Sequence, residues 1–288
     1  MLKFCQQFYN KPPVSPAFLA LIVVVVVVSL YFSAGVDACD NGTARISGQT
    51  DYPPLSWVDN NQLEGSSIEI AVLLFAEVGI KAQVDEGGPW KRVLMRAQNG
   101  EVDLLLGVRK DAERQRFLNF IEPALTPAVQ SVFVHKARDF VFEQWSDLKG
   151  KSGNVLLGSS FGNEFELYRL NNLNIEYTET IEQGFQKLLL NRVDYILGPN
   201  TTYEVYLQKE KLAEIIVAKE APLNIINEYF AFTKSSSCNR FTAHFSRRLT
   251  EIISSGNIDN YLENNFIRWF EKFDPEPGEV PLRGLPSR

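Results

Sequence analysis

Two stretches of this chain repeat one pattern. Asn99-Gly100-Glu101-Val102-Asp103-Leu104-Leu105-Leu106-Gly107 is echoed by Leu190-Asn191-Arg192-Val193-Asp194-Tyr195-Ile196-Leu197-Gly198. Each reads as a helix end, a tight turn, an apolar strand and a glycine. A continuous apolar run suits a strand covered on both faces, so helices must flank the sheet on either side. Glycine at the carboxyl end of a strand lets backbone or ligand approach closely. Because ligands of open α/β sheets sit beyond those ends, Gly107 and Gly198 point to one cleft formed by two lobes. Two unrelated helix-strand units would also produce the echo, and the rest of the chain decides between the readings.

A helix-then-strand rhythm runs through it, which argues for α/β layering. Residues 44–48 read as a first strand. Ser66-Ser67-Ile68-Glu69 has the form of a capping box opening a helix with Ile70, Leu73, Leu74 and Val78 at helical spacing before Gly79. Residues 81–84 form the next strand, and Pro89 starts a helix that stops at Asn99-Gly100. The second half repeats this grammar with a strand at 154–157, a turn at 158–162, and a helix from Asn163 through Leu170. Thr180-Ile181-Glu182-Gln183 is a further capping box. Residues 136–150 read as a connector. The extended segments 129–134 and 229–233 are placed to cross between lobes, so the chain leaves lobe one, builds lobe two and returns. The expected divisions are a leader at 1–38, lobe one at 39–128, lobe two at 129–226, the return with C-terminal helices at 227–272, and a disordered tail at 273–288 rich in Pro, Arg and Ser.

The leader sets the compartment. Lys3 and Lys11 precede an uncharged apolar run over residues 17–32, followed by Ser33, Ala34 and Gly35. That is the layout of a secretory signal with cleavage expected near Val36-Asp37-Ala38. The run is also long enough for an uncleaved anchor, and Cys39 at its end leaves a lipidated form open. In every case the remainder is exported, since the basic residues precede the run and Asp37 and Asp40 follow it. Removing residues 1–38 takes away Lys3, Lys11 and Asp37 and leaves a net charge of −7. An acidic chain without a basic stripe is a poor partner for nucleic acid. Beyond residue 38 only Cys39 and Cys238 remain, and in a disulfide-permissive compartment the pair suggests one bridge, with two free thiols as the alternative. His135 and His244 stand apart with no metal-ligand spacing, so no metal or other cofactor is expected.

Nearly the whole exported chain resembles the family 3 extracellular solute-binding proteins, the amino-acid-binding components of ABC importers. The resemblance is carried by Tyr52-Pro53-Pro54-Leu55-Ser56-Trp57, by Leu63-Glu64-Gly65 leading to Glu69, and by Gly107 through Ala112-Glu113-Arg114 to Phe120. It continues in Asp147-Leu148-Lys149-Gly150-Lys151, Gly158-Ser159-Ser160, Val193-Asp194 and the ending from Gly256 to Phe270. It implies an α/β fold of the two-lobed periplasmic binding protein type II kind, each lobe a mixed sheet flanked by helices, joined by two crossover strands. It also implies a monomer that captures a small carboxylate, closes by a hinge and is read by an inner-membrane ABC permease.

By the same resemblance Arg114 is the arginine that holds a ligand carboxylate, a task its planar fork suits. Tyr52 and Trp90 match the aromatic pair that sandwiches the ligand. Ser159 and Ser160 match the turn at a helix N-terminus that favours an anion, with ordinary N-capping as the plainer role. Gly107 borders the cleft. Two positions depart from the family pattern: Arg109 stands where a threonine is usual, and Pro199-Asn200 follows Gly198 where an aspartate for the ligand amine is usual. The expected site is therefore Tyr52, Trp90, Gly107, Arg109, Arg114, Ser159, Ser160 and Asn200, with a more cationic cleft and an α-amino group less decisive. Two other functions use the same scaffold. One is an exported lyase resembling cyclohexadienyl dehydratases, with Glu164 as general acid, although an acidic residue in a first helical turn needs no catalytic explanation. The other is a ligand sensor.

Overall fold

The computed structural model describes residues 38–273. The leader and the tail beyond Phe273 lie outside the described residues. A short turn of helix at Ala38–Asn41 leads into strand β1 (Thr43–Ser47), followed by a small meander of β2 (Asp51–Tyr52), β3 (Ser56–Asp59) and β4 (Gln62–Glu64). Helix α1 (Ser66–Glu77), β5 (Lys81–Val84), α2 (Trp90–Gln98) and β6 (Leu104–Arg109) complete the first half of lobe one. The long strand β7 (Leu118–His135) then passes into lobe two. There follow β8 (Ser152–Leu156), α3 (Asn163–Asn172), β9 (Asn174–Thr178), α4 (Ile181–Leu189), β10 (Tyr195–Pro199), α5 (Asn200–Lys209) and β11 (Ile216–Ala218). Strand β12 (Asn224–Thr233) returns to lobe one, which ends in α6 (Thr242–Ser254) and α7 (Asn257–Phe273).

The main sheet runs β5-β1-β6-β12-β7-β10-β8-β9, with β11 beside β7. Strands β5, β1 and β6 are parallel, as are β10, β8 and β9, while β12 and β7 run antiparallel to their neighbours. The two crossing strands pair with each other through the waist, Asn224 to Glu228 against Gln130 to Thr126, then Phe230 to Thr233 against Ile121 to Leu118 after a register shift. The boundaries expected at 128/129 and 226/227 fall inside these two strands, so each crossing segment belongs to both lobes.

The echoed pattern has one physical meaning in both lobes. Asp103 exchanges bonds with the Arg45 backbone: its carboxylate accepts from Arg45 N at 2.8 Å, and its own N donates to Arg45 O at 2.8 Å. Asp194 does the same with Ser152, at 2.7 Å each way. Each aspartate thus pins the end of a helix to the strand beside it. The apolar runs that follow are buried on two faces. Leu104 and Leu106 pack with Ile46, Leu74 and Phe75, whereas Leu105 and Val108 pack with Val93 and Leu94 of α2.

The start of α1 differs from the capping box read in the sequence. Gly65 is the cap and no side chain caps the helix; the Ser66 hydroxyl donates to Pro54 O at 2.9 Å, and Glu69 pairs with Arg268 of α7 at 2.9 Å. The chain passes so close to Leu55 there that a Cβ on Gly65, at φ 129°, would lie 2.4 Å from Leu55 O. Close packing therefore sets this helix start. Thr180 caps α4 as read, accepting from Gln183 N at 3.2 Å. Cys39 and Cys238, both buried, form a disulfide that closes a sequence separation of 199 and ties the first turn to the start of the last helical region.

Candidate functional site

The lobes meet over a narrow cleft of about 20 Å³, room for one or two waters. Tyr52, Trp90, Gly107, Arg109, Arg114, Ser159 and Ser160 all line it. Asn200 does not. It opens α5 and accepts from Ser131 Oγ at 2.8 Å, facing a neighbouring apolar pocket with Pro53, Pro127 and Leu262, so this expected site residue stands outside the cleft. The lining from that region is Pro199, Thr202 and Tyr203. Gly198 matters by close approach, since a Cβ there would lie 2.0 Å from the Tyr203 ring.

Gly107 controls where Arg109 points. It sits inside β6 at φ 60°, a conformation that favours glycine, opposite a register shift between Tyr229 and Ala231 of β12. Strict alternation would put Val108 with Leu106. The bulge puts it with Leu105 on the α2 side instead, and re-aims Arg109 into the cleft.

Arg109 is buried, and each of its three guanidinium nitrogens has a hydrogen-bond partner. Its Nε donates to Glu228 Oε1 at 2.8 Å, Nη1 to Ser160 O at 2.8 Å, and Nη2 to Tyr52 Oη at 3.4 Å. Tyr52 in turn donates to the same Glu228 oxygen at 2.6 Å. Burial opposes the charge on Arg109, but the Glu228 carboxylate outweighs it and holds the guanidinium above its ordinary pKa. Burial and the neighbouring carboxylate push the Tyr52 phenol up, so it stays a donor.

Arg114, in the turn after β6, is spent in the same way. Its Nη1 donates to Arg109 O at 3.0 Å, Nη2 to Gly158 O at 2.6 Å, and Nε lies 3.2 Å from Asp111 Oδ2. Burial draws its pKa below the ordinary value, with Asp111 acting against that shift. Its guanidinium carbon lies 5.8 Å from the Trp90 ring centre. Trp90 both opens α2 and contacts the second-lobe turn, where a Cβ on Gly158 would lie 3.1 Å from its ring. Sequence reasoning anticipated a more cationic cleft; the structure pairs Arg109 with Glu228 and Arg114 with Asp111, so the added charge is compensated.

The two arginines of lobe one therefore grasp two carbonyls of one lobe-two turn, Gly158 and Ser160. Asn163 Oδ1 accepts from Ala112 N at 3.2 Å, and Thr202 donates to Pro53 O at 3.4 Å across the same gap. Sequence reasoning missed Glu228, and in the cleft lining it also missed Gln49 and Asp51. Glu228 stands at the waist of β12, opposite Arg109, as the one acidic residue of that strand. A carboxylate just before the apolar run 229–233 was the available signal. Glu164 lines a separate surface groove with Lys110, Trp145 and Tyr229. Among the described residues no group of His, Cys, Asp or Glu side chains is arranged to hold a metal ion, and no helix is long and apolar enough to cross a membrane.

The model of the bacterial extracellular solute-binding proteins, family 3, matches residues 44–270. The chain is similar to the arginine-binding extracellular protein ArtP of Bacillus subtilis, 23% identical over 222 residues, covering 76% of this chain and 83% of that one. Among solved structures it is similar to a mutant of ArgBP from T. maritima, with TM-score 0.65, 20% identity and coverage of 83% and 97% of the two chains. AbpA from Streptococcus pneumoniae, bound to L-arginine, superposes with TM-score 0.66 at 18% identity, covering 79% and 96%. These structures share the type II periplasmic binding protein fold.

Proposed function

Because this chain belongs to the bacterial extracellular solute-binding proteins of family 3, we propose that it captures a small carboxylate between its lobes in the periplasm, as a monomer, and presents the closed form to an ABC permease. The observation that carries this reading is the clasp itself. Arg114 and Arg109 from one lobe reach Gly158 O and Ser160 O on the other, so closure and the cationic groups of the cleft are one assembly. In an open form Arg114 Nη2 is released from the Gly158 carbonyl and is free to take a ligand carboxylate through a charge-assisted bond. Of the relatives named above, ArtP is described as arginine-binding and AbpA as bound to L-arginine. Here the cleft has no acidic residue after Gly198, and the one carboxylate that lines it, Asp51, has its pKa raised by burial, which favours a carboxylate whose α-amino group matters less.

Binding without turnover is the better reading than lyase chemistry, since Glu164, the candidate acid, lines an outer groove and not the cleft. The test is a thermal-shift screen of amino acids, their deaminated analogues and other small carboxylates, because a ligand that binds only the folded state raises its melting temperature. Hits confined to carboxylates support the proposal. A protein stabilised by none of them, or one that consumes a prephenate-like substrate, contradicts it.

A further inference from the structure

We infer that the floor of the cleft is a binding site for a guanidinium-type cation that the chain fills with its own Arg109. Each nitrogen of one planar cation has an acceptor: the Glu228 carboxylate, the Ser160 carbonyl and the Tyr52 hydroxyl, at 2.8, 2.8 and 3.4 Å from successive nitrogens of the guanidinium. The Phe161 ring, 5.7 Å from the guanidinium carbon, adds an aromatic face. Glu228 is fully buried and does not itself line the cleft, because Arg109 stands between it and the open space.

The tether leaves a mark. Arg109 meets Glu228 sideways, through Nε to Oε1 only, and Glu228 Oε2 is buried without a hydrogen-bond partner. A guanidinium free of the backbone could turn its fork to both oxygens, the stronger arrangement for this pair. The built-in cation therefore acts as a specificity device. While it is in place, a ligand's own ammonium or guanidinium finds no acceptor on the floor and is left with Asp51 as the one carboxylate lining the cleft. This consequence rests on the cleft being the ligand site. The cation site itself does not.

Arg109→Ala removes the atoms of an N-ethylguanidinium and leaves their acceptors behind. Calorimetric titration of N-ethylguanidinium chloride into Arg109→Ala should show saturable binding. Wild type should show none, and Arg109→Ala/Glu228→Gln should bind roughly tenfold or more weaker, having lost the charged acceptor. Folded Arg109→Ala that does not bind the cation, or binding of equal strength in the double variant, overturns the inference. Should Arg109→Ala fail to fold alone, folding restored by N-ethylguanidinium supports the site. No restoration, with Arg109→Lys folding normally, overturns it. The titration uses no carboxylate, so a wild type with no carboxylate ligand would leave its result unchanged.

Discussion

Arg109 and Glu228 face each other directly across β6 and β12, Nε to Oε1 at 2.8 Å, with side-chain exposures of 6% and 0%. The pair lies at the waist where both crossing strands run, and it joins these strands to the cleft through Tyr52 on one side and the Ser160 carbonyl on the other. Arg109 thus links the crossing strand to a lobe-two carbonyl, so whatever holds Arg109 also holds one contact between the lobes.

Removing one partner of such a pair leaves a charge in the interior. Glu228→Gln should therefore lower unfolding stability by about 3–5 kcal/mol in urea titrations. Replacing both, as Arg109→Met with Glu228→Leu, should recover much of the loss, because an apolar pair of similar volume avoids burying any charge. A Glu228→Gln protein as stable as wild type would show that solvent reaches the pair.

The disulfide makes a prediction of its own. Cys39–Cys238 closes a sequence separation of 199, long enough for a large entropic effect on the unfolded chain. Cys39→Ser with Cys238→Ser should cost roughly 2–5 kcal/mol, measured by chemical denaturation. Non-reducing peptide mapping should recover the linked peptides.

Acid should loosen lobe one through Glu77. Its hydrogen bonds to Arg248, at 2.9 Å, hold its carboxyl below the ordinary value of 4.5, with His244 and the Arg248 charge adding to the effect. A carboxyl depressed in the folded state contributes stability that is complete above 4.5 and is lost as pH falls through the lower folded value. Wild type should lose stability more steeply than Glu77→Gln below about pH 4.5, with the two curves running parallel above it. Parallel curves throughout would remove Glu77 from the acid response.

Much of the fold was legible because it rests on local patterns. The echoed Asp103 and Asp194 units could be read directly, since an apolar run bounded by a turn and a glycine states its burial in the sequence. The cleft residues Tyr52, Trp90, Arg109 and Arg114 came from the resemblance to family 3, with the strand-end glycine Gly107 adding a local signal for Arg114. Glu228 could not be found that way. Its role depends on a pairing 119 residues distant and on a bulge at Gly107 that turns Arg109 toward it. Gly65 defeated the capping-box reading for a similar reason, because close approach to Leu55 outweighed a local signal. Asn200 was read from its place after Gly198, but the helix begins at Asn200 itself and carries its side chain to Ser131.

The most direct test of the account is a calorimetric titration of one carboxylate hit into wild type, Arg114→Ala and Arg114→Lys. If Arg114 leaves the Gly158 carbonyl to hold the ligand, Arg114→Ala should keep its fold and lose about 2–5 kcal/mol of binding, as expected for a desolvated charge pair. Arg114→Lys should recover little, since a point charge cannot reproduce the planar fork. Wild-type affinity in Arg114→Ala would contradict the account, leaving Arg114 as an interlobe clasp that never meets ligand.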